Sequence, residues 1–208
     1  MSREKDDIRH EMRARRREVS QERRSYTGRV IAHKIVKGEI RAVKQALWVS
    51  IYLSAKDEIP TRYLARALWE AGRGVCVPGW SPMDQRYQLC ELHPVMRLVT
   101  GKYGIREPME QVPVMSWDVD VFVLPGLAFD KHGARLGFGK GIYDSILFRS
   151  NPSAVKIGVC YDWQILDKPL PQEPHDVFLD WLVSDRRVIN CKRNREEAAG
   201  GDVGSLFT

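Results

Sequence analysis

The chain has 208 residues, 43% hydrophobic and 29% charged, with a net charge of +6, the composition of one ordinary globular domain able to bury its own core. No apolar run approaches the roughly 18 residues of a membrane span, and the charged N-terminus MSREKDDIRHEMRARRR lacks the apolar stretch of a secretory signal. Cys76, Cys90, Cys160 and Cys191 are too scattered for a zinc site or a disulfide framework, so buried free thiols in a cytoplasmic protein are expected.

Residues 2–18 read as a charged helix. The first 24 residues hold nine Lys or Arg against six Asp or Glu; such a face suits an anionic ligand, a membrane surface or plain solvent. Ser20 reads as an N-cap for a second helix reaching about Val43, with Val30, Ile31, Ile35, Val36 and Ile40 at helical spacing. Ala46–Leu53 is a strand-type run. Pro60 opens a helix over Thr61–Ala71 that Gly72 stops. Val75–Pro78 and Tyr87–Leu92 read as strands. Val119–Leu124 (VDVFVL) has the unbroken apolar pattern of a strand covered on both faces. A Gly-rich loop, a helix near Ile142–Phe148 and strands at Val155–Cys160 and Trp181–Ser184 follow. Strands alternating with helices predict an α/β fold: a single three-layer domain, residues 1–190, with a mostly parallel central sheet and helices on both faces. Residues 191–208 read as a mobile C-terminal tail.

Ligands on such sheets bind beyond the carboxyl ends of the strands, which directs attention to the segment after Leu124. Gly137, Gly139 and Gly141 alternate there, freeing backbone N–H groups for close approach to an anion. Lys140 sits inside the run, Arg135 just before it, and a helix N-terminus follows. Asp144 on the first helical turn could hold Mg²⁺ against phosphates. The spacing fits neither a Walker A loop, because Gly133 lies one residue too far from Gly139 and Gly141 replaces the hydroxyl, nor the G-x-G-x-x-G dinucleotide fingerprint. A tight glycine turn without a ligand would explain the glycines alone; Arg135, Lys140 and Asp144 favour a polyphosphate cradle.

Pro125, Gly126, Phe129, Asp130, Gly133, Arg135, Leu136, Gly137, Gly139, Gly141, Tyr143 and Asp144 together resemble the signature of the 5-formyltetrahydrofolate cyclo-ligase (5,10-methenyltetrahydrofolate synthetase) family. The resemblance runs from Lys5 to about Ser184. Lys5 and Arg9 match a Lys-x-x-x-Arg that contacts ATP in that family. Tyr52-Leu53-Ser54 with Asp57-Glu58-Ile59, and Gly104–Pro108, match further segments. Pro171–Asp176 matches a late motif ending in a magnesium ligand. Phe138 stands at a variable position, and Ile142 replaces a frequent aromatic residue beside the folate site.

The resemblance implies ATP contacts at Lys5, Arg9 and Arg135 through Tyr143 (Arg135, Leu136, Gly137, Phe138, Gly139, Lys140, Gly141, Ile142, Tyr143). It implies folate contacts at Leu53, Glu58, Tyr103, Phe138, Gly139, Lys140, Gly141 and Ile142. Asp144 and Asp176 would be Mg²⁺ ligands, and Lys140 and Arg135 the catalytic cations. The implied reaction converts 5-formyltetrahydrofolate, with or without a polyglutamate tail, and ATP to 5,10-methenyltetrahydrofolate, ADP and phosphate, through a phosphorylated formyl oxygen and attack by N10. A monomer without nucleic-acid or membrane partners is expected. Competing readings are a nucleic-acid module built on the basic helix, which lacks any recognition signature, and a relative that binds nucleotide or folate but has changed its reaction. A plain P-loop phosphotransferase fails on the loop spacing.

Overall fold

The computed structural model of the protein describes residues 3–173 and 176–200. In chain order the elements are α1 (Arg3–Arg17), α2 (Gln21–Lys37), α3 (Arg41–Gln45), β1 (Trp48–Ser50), α4 (Arg62–Glu70), β2 (Gly74–Ser81) and β3 (Arg86–Glu91). Short strands β4 (Leu98–Thr100), β5 (Arg106–Pro108) and β6 (Pro113–Val114) precede β7 (Val121–Leu124), β8 (Ala128–Asp130) and β9 (Arg135–Leu136). The rest is α5 (Ile142–Leu147), β10 (Val155–Cys160), β11 (Ile165–Leu166), β12 (Trp181–Ser184), β13 (Val188–Asn190) and α6 (Cys191–Gly200).

The main sheet has eight strands in the order β13-β12-β10-β7-β1-β2-β3-β6. The central run from β12 to β2 is parallel, and β13, β3 and β6 pair antiparallel at the edges. Alternate residues of β7 divide between two apolar clusters. Val121 and Val123 join the cluster that buries α2 and α4, while Phe122 and Leu124 join the one that buries Ile146 and Leu147 of α5. Helices therefore cover both faces, as the unbroken apolar run predicts for a central parallel strand.

A third cluster docks α1: Met12 packs with Leu127, Ala128, Ala134, Leu136 and Leu170 around the β8–β9 hairpin. The buried face of α1 is made of Lys5, Arg9, Met12 and Arg16, three cations and one methionine at helical spacing. No helix among the described residues is long and apolar enough to cross a membrane.

Two local expectations differ from the structure. The second helix ends at Gly38 and a separate α3 begins at Arg41; the turn between them drops Ile40 into the core at 1% exposure. The chain after Asn190, read as a tail, begins with the helix α6, whose Cys191 is fully buried. Residues 201–208 lie outside the described residues.

Candidate functional site

After β1 the chain crosses to β2 on one side; after β7 it crosses to β10 on the other. The crevice beyond the ends of these adjacent parallel strands is the switch point where α/β sheets bind ligands. A cleft of about 930 Å³ opens there, lined by Tyr52 to Ala55 after β1 and by Pro125 after β7.

The glycine loop forms one wall. Its base is fixed by Asp130, fully buried, whose Oδ1 accepts the N–H groups of His132 at 2.9 Å and Ala134 at 3.1 Å, while Oδ2 accepts that of Leu170 at 2.9 Å. Gly133 turns the β8–β9 hairpin with φ +92°, where an added Cβ would lie 2.4 Å from the Leu179 carbonyl oxygen. The hairpin presents Arg135. Its Nη2 donates to Asp144 Oδ1 at 2.8 Å and its Nη1 to the Pro125 carbonyl at 3.3 Å, leaving a buried Nε without a hydrogen-bond partner among the described residues. Gly139 and Gly141 follow with φ +85° and +64°, and Gly141 leads directly into α5. These left-handed conformations favour glycine, so two of the three alternating glycines, Gly139 and Gly141, have a backbone cause.

Lys140 projects from this loop across the cleft. Its Nζ donates to the Tyr103 carbonyl at 3.3 Å and lies 4.9 Å from the centre of the Tyr103 ring. Tyr103 is 58% exposed and itself holds φ +58° in a 3₁₀ turn over Lys102–Gly104; a non-glycine residue there is uncommon. Leu53 and Glu58 line the cleft from the β1 side. The amide of Ala55 donates to Glu58 Oε2 at 2.8 Å. Burial raises the Glu58 pKa; the Ala55 N–H and the charge of Arg16 oppose that shift. Burial, and then the Glu58 charge, raise the phenols of Tyr52 and Tyr143, keeping both neutral.

The cleft brings together Leu53, Glu58, Tyr103, Arg135, Gly137, Phe138, Gly139, Lys140, Gly141, Ile142, Tyr143 and Asp144. Leu136 stands apart from this lining, buried in the α1 cluster. Lys5 and Arg9 lie on the buried face of α1. Lys5 Nζ is 2.9 Å from Glu173 Oε1 and 3.7 Å from Asp176 Oδ2, which couples it to the second carboxylate read as a metal ligand. Arg9 Nε donates to the Gly137 carbonyl at 3.1 Å, joining α1 to the glycine loop. His175 of the late motif lies outside the described residues.

Among the described residues, no group of three or more His, Cys, Asp or Glu is placed to hold a metal ion. Asp144 is nevertheless 46% exposed in the cleft wall. A part-exposed carboxylate beside the glycine loop, paired on one oxygen with Arg135, is the kind of donor Mg²⁺ takes, since that ion keeps much of its water and few protein ligands.

Sequence reasoning missed Arg16, Arg24 and Arg62. Arg24 and Arg62 line the cleft. Arg16 is 2% exposed, with Nη2 2.8 Å from Asp57 Oδ2 and 3.9 Å from Glu58 Oε1. The helical spacing of Lys5, Arg9, Met12 and Arg16 was the available signal.

Residues 1–185 match the model of the 5-formyltetrahydrofolate cyclo-ligase family. The chain is 32% identical over 187 residues to 5-formyltetrahydrofolate cyclo-ligase of Escherichia coli strain K12, covering 85% of this chain and 98% of that protein. It is 29% identical over 192 residues to the mouse protein of the same name, with 85% and 91% covered. The NMR structure of Aquifex aeolicus 5,10-methenyltetrahydrofolate synthetase matches with a TM-score of 0.76 at 30% identity, over 90% of this chain and 93% of that one. The cleft geometry and these relationships agree: the chain is a member of the 5-formyltetrahydrofolate cyclo-ligase family.

Proposed function

We propose that the cleft converts 5-formyltetrahydrofolate and ATP to 5,10-methenyltetrahydrofolate, ADP and phosphate. The observation that carries this reading is the meeting in one cleft of a cationic glycine loop, Arg135 to Lys140, with the Leu53–Glu58 segment. An amide oxygen is a poor leaving group. In the first step the formyl oxygen attacks the γ-phosphorus, its bond to ADP breaks, and the formyl carbon becomes electrophilic. The N10 lone pair then forms the new carbon–nitrogen bond. Phosphate leaves with the carbon–oxygen bonding pair, and the N10 proton passes to solvent.

Such transfer needs alignment and charge neutralisation more than covalent help from the protein. Lys140 and Arg135 supply cations, and the N–H groups around Gly137, Gly139 and Gly141 supply oriented dipoles. Lys5 and Arg9 would close on ATP from α1. Mg²⁺ accompanying ATP would offset phosphate charge, with Asp144 and Asp176 as its protein ligands. Glu58 accepts hydrogen bonds from the pterin amine side, while Leu53 and Tyr103 pack on the folate. Phe138 and Ile142 complete that wall.

Finer features belong to the same reading. Arg24, Lys56 and Arg62 offer cations along the cleft to polyglutamate carboxylates. Four free, buried cysteines suit a reducing cytoplasm. We take the working form to be a monomer.

The test is growth of the near-ultraviolet band of the methenyl product, which should require both ATP and Mg²⁺. Lys140→Ala should reduce turnover about 100-fold or more, the effect of losing one electrostatic contact to the transferring group. Because Lys140 is exposed, the variant should melt like the parent. Full turnover in Lys140→Ala would reject the assignment.

A further inference from the structure

Arg16 is a buried cation that the proposed chemistry leaves unused. Its guanidinium Nη2 contacts Asp57 Oδ2 at 2.8 Å and lies 3.9 Å from Glu58 Oε1, and its centre stands 5.2 Å from the Phe138 ring centroid. That last distance is within cation–π range. Glu58 and Phe138 both line the large cleft. Arg16 instead borders a small adjoining cavity of about 10 Å³, together with Tyr52 and Glu58. Burying a guanidinium is costly unless its charge is paired, and here the two carboxylates come from the loop that carries the folate segment. One side chain of α1 thus touches a residue from each wall of the cleft.

We propose that Arg16 is a positioning residue that orients the Glu58 carboxylate for substrate and braces Phe138 across the cleft, tying the N-terminal helix to folate binding. The inference rests on Glu58 contacting the folate. The groups that face Glu58 are Arg16 from α1, Asp57 and the Ala55 N–H from its own loop, and the neutral phenols of Tyr52 and Tyr143. Arg16 is the cation among them, so its charge favours the acceptor form of the carboxylate. Removing it leaves burial and Asp57 to favour protonation.

The experiment measures KM for 5-formyltetrahydrofolate and for MgATP across pH in Arg16→Met, Arg16→Lys, Glu58→Gln and the Met/Gln double variant. Arg16→Met should raise the folate KM roughly tenfold, as expected for losing a charge-assisted contact. It should also move the acid limb of kcat/KM to higher pH, with a much smaller change in the MgATP KM. Arg16→Lys should restore the acid limb, and Arg16→Met should add little once Glu58 is Gln. A folded Arg16→Met with parental folate KM and acid limb would overturn the proposal. If Arg16→Met does not fold, Arg16→Gln takes its place. Failure of both neutral variants to fold would assign Arg16 to the fold alone and equally overturn the proposal. A parental folate KM in Glu58→Gln would instead refute the role of Glu58 on which the inference rests.

Discussion

Gly133 and Gly141 both adopt positive φ in the same signature loop, yet a methyl group would meet different surroundings at each. At Gly133 it would strike the Leu179 carbonyl oxygen at 2.4 Å; at Gly141 nothing lies within 4 Å. Gly141→Ala should therefore cost about 1–2 kcal/mol of left-handed strain, whereas Gly133→Ala adds a backbone collision and should cost about 3 kcal/mol or more. Urea unfolding of both variants checks this ordering; equal losses would contradict it. Glu58 supplies a second contrast. Burial raises its pKa, so the native state holds that proton more tightly than the unfolded chain does. The contribution of Glu58 to stability therefore falls as pH rises from its ordinary value of 4.5 through the raised native value. Relative to the parent, Glu58→Gln should gain in Tm as pH rises through that window; a gap independent of pH would show that Glu58 does not titrate differently on folding. The sequence made Gly133, Gly141 and Glu58 visible through a motif. It hid which glycine supports the fold and which frees the loop, because that depends on Leu179, distant in the chain.

Among the elements, β7 was the most legible, because a central parallel strand must be apolar on both faces. The β8–β9 hairpin was not. Its strands have three and two residues, and the turn is built by Asp130 side-chain bonds rather than by periodicity. Helix α1 was legible as a helix but not as a buried one. Runs of arginine ordinarily mark a solvated face, and here Arg9 and Arg16 are buried on the Gly137 carbonyl and on Asp57. Met12 anchors that face against Leu136 and Leu170. Met12→Ala should cost about 2–5 kcal/mol where the cavity stays open. It should also raise KM for both substrates, because α1 reaches the glycine loop through Arg9 and Glu58 through Arg16. Steady-state kinetics on the folded variant distinguish this from simple core damage, which would lower Tm and leave both KM values alone.

At the scale of the molecule, both ends of the described chain converge on the hairpin that presents Arg135. Helix α1 covers it from the N-terminal side. From the other end α6 grips its turn: Asn194 Nδ2 donates to the Lys131 carbonyl at 2.8 Å, and Arg195 Nη1 donates to the carbonyls of His132 and of Leu179, the latter at 2.8 Å. Cys191 fills the gap beside Gly133, whose added Cβ would stand 3.0 Å from the Cys191 Cβ. No apolar stripe in CKRNREEAAG advertises this packing, since α6 is held largely by side-chain donors to backbone oxygens and by one buried thiol. That is why the sequence read as a tail after Asn190. Ending the chain after Asn190 should remove roughly 2 kcal/mol from one buried side chain and two or three hydrogen bonds, lowering Tm by about 4–8 °C for a domain of this size. If the grip on Lys131 and His132 also steadies Arg135, the shortened protein should show a higher KM for MgATP at temperatures well below its melting point, while KM for 5-formyltetrahydrofolate changes less. A loss of Tm with parental kinetics would make α6 a cover for the fold. A raised MgATP KM would make it a remote support of the wall that carries Arg135 and support the proposed phosphate contacts there.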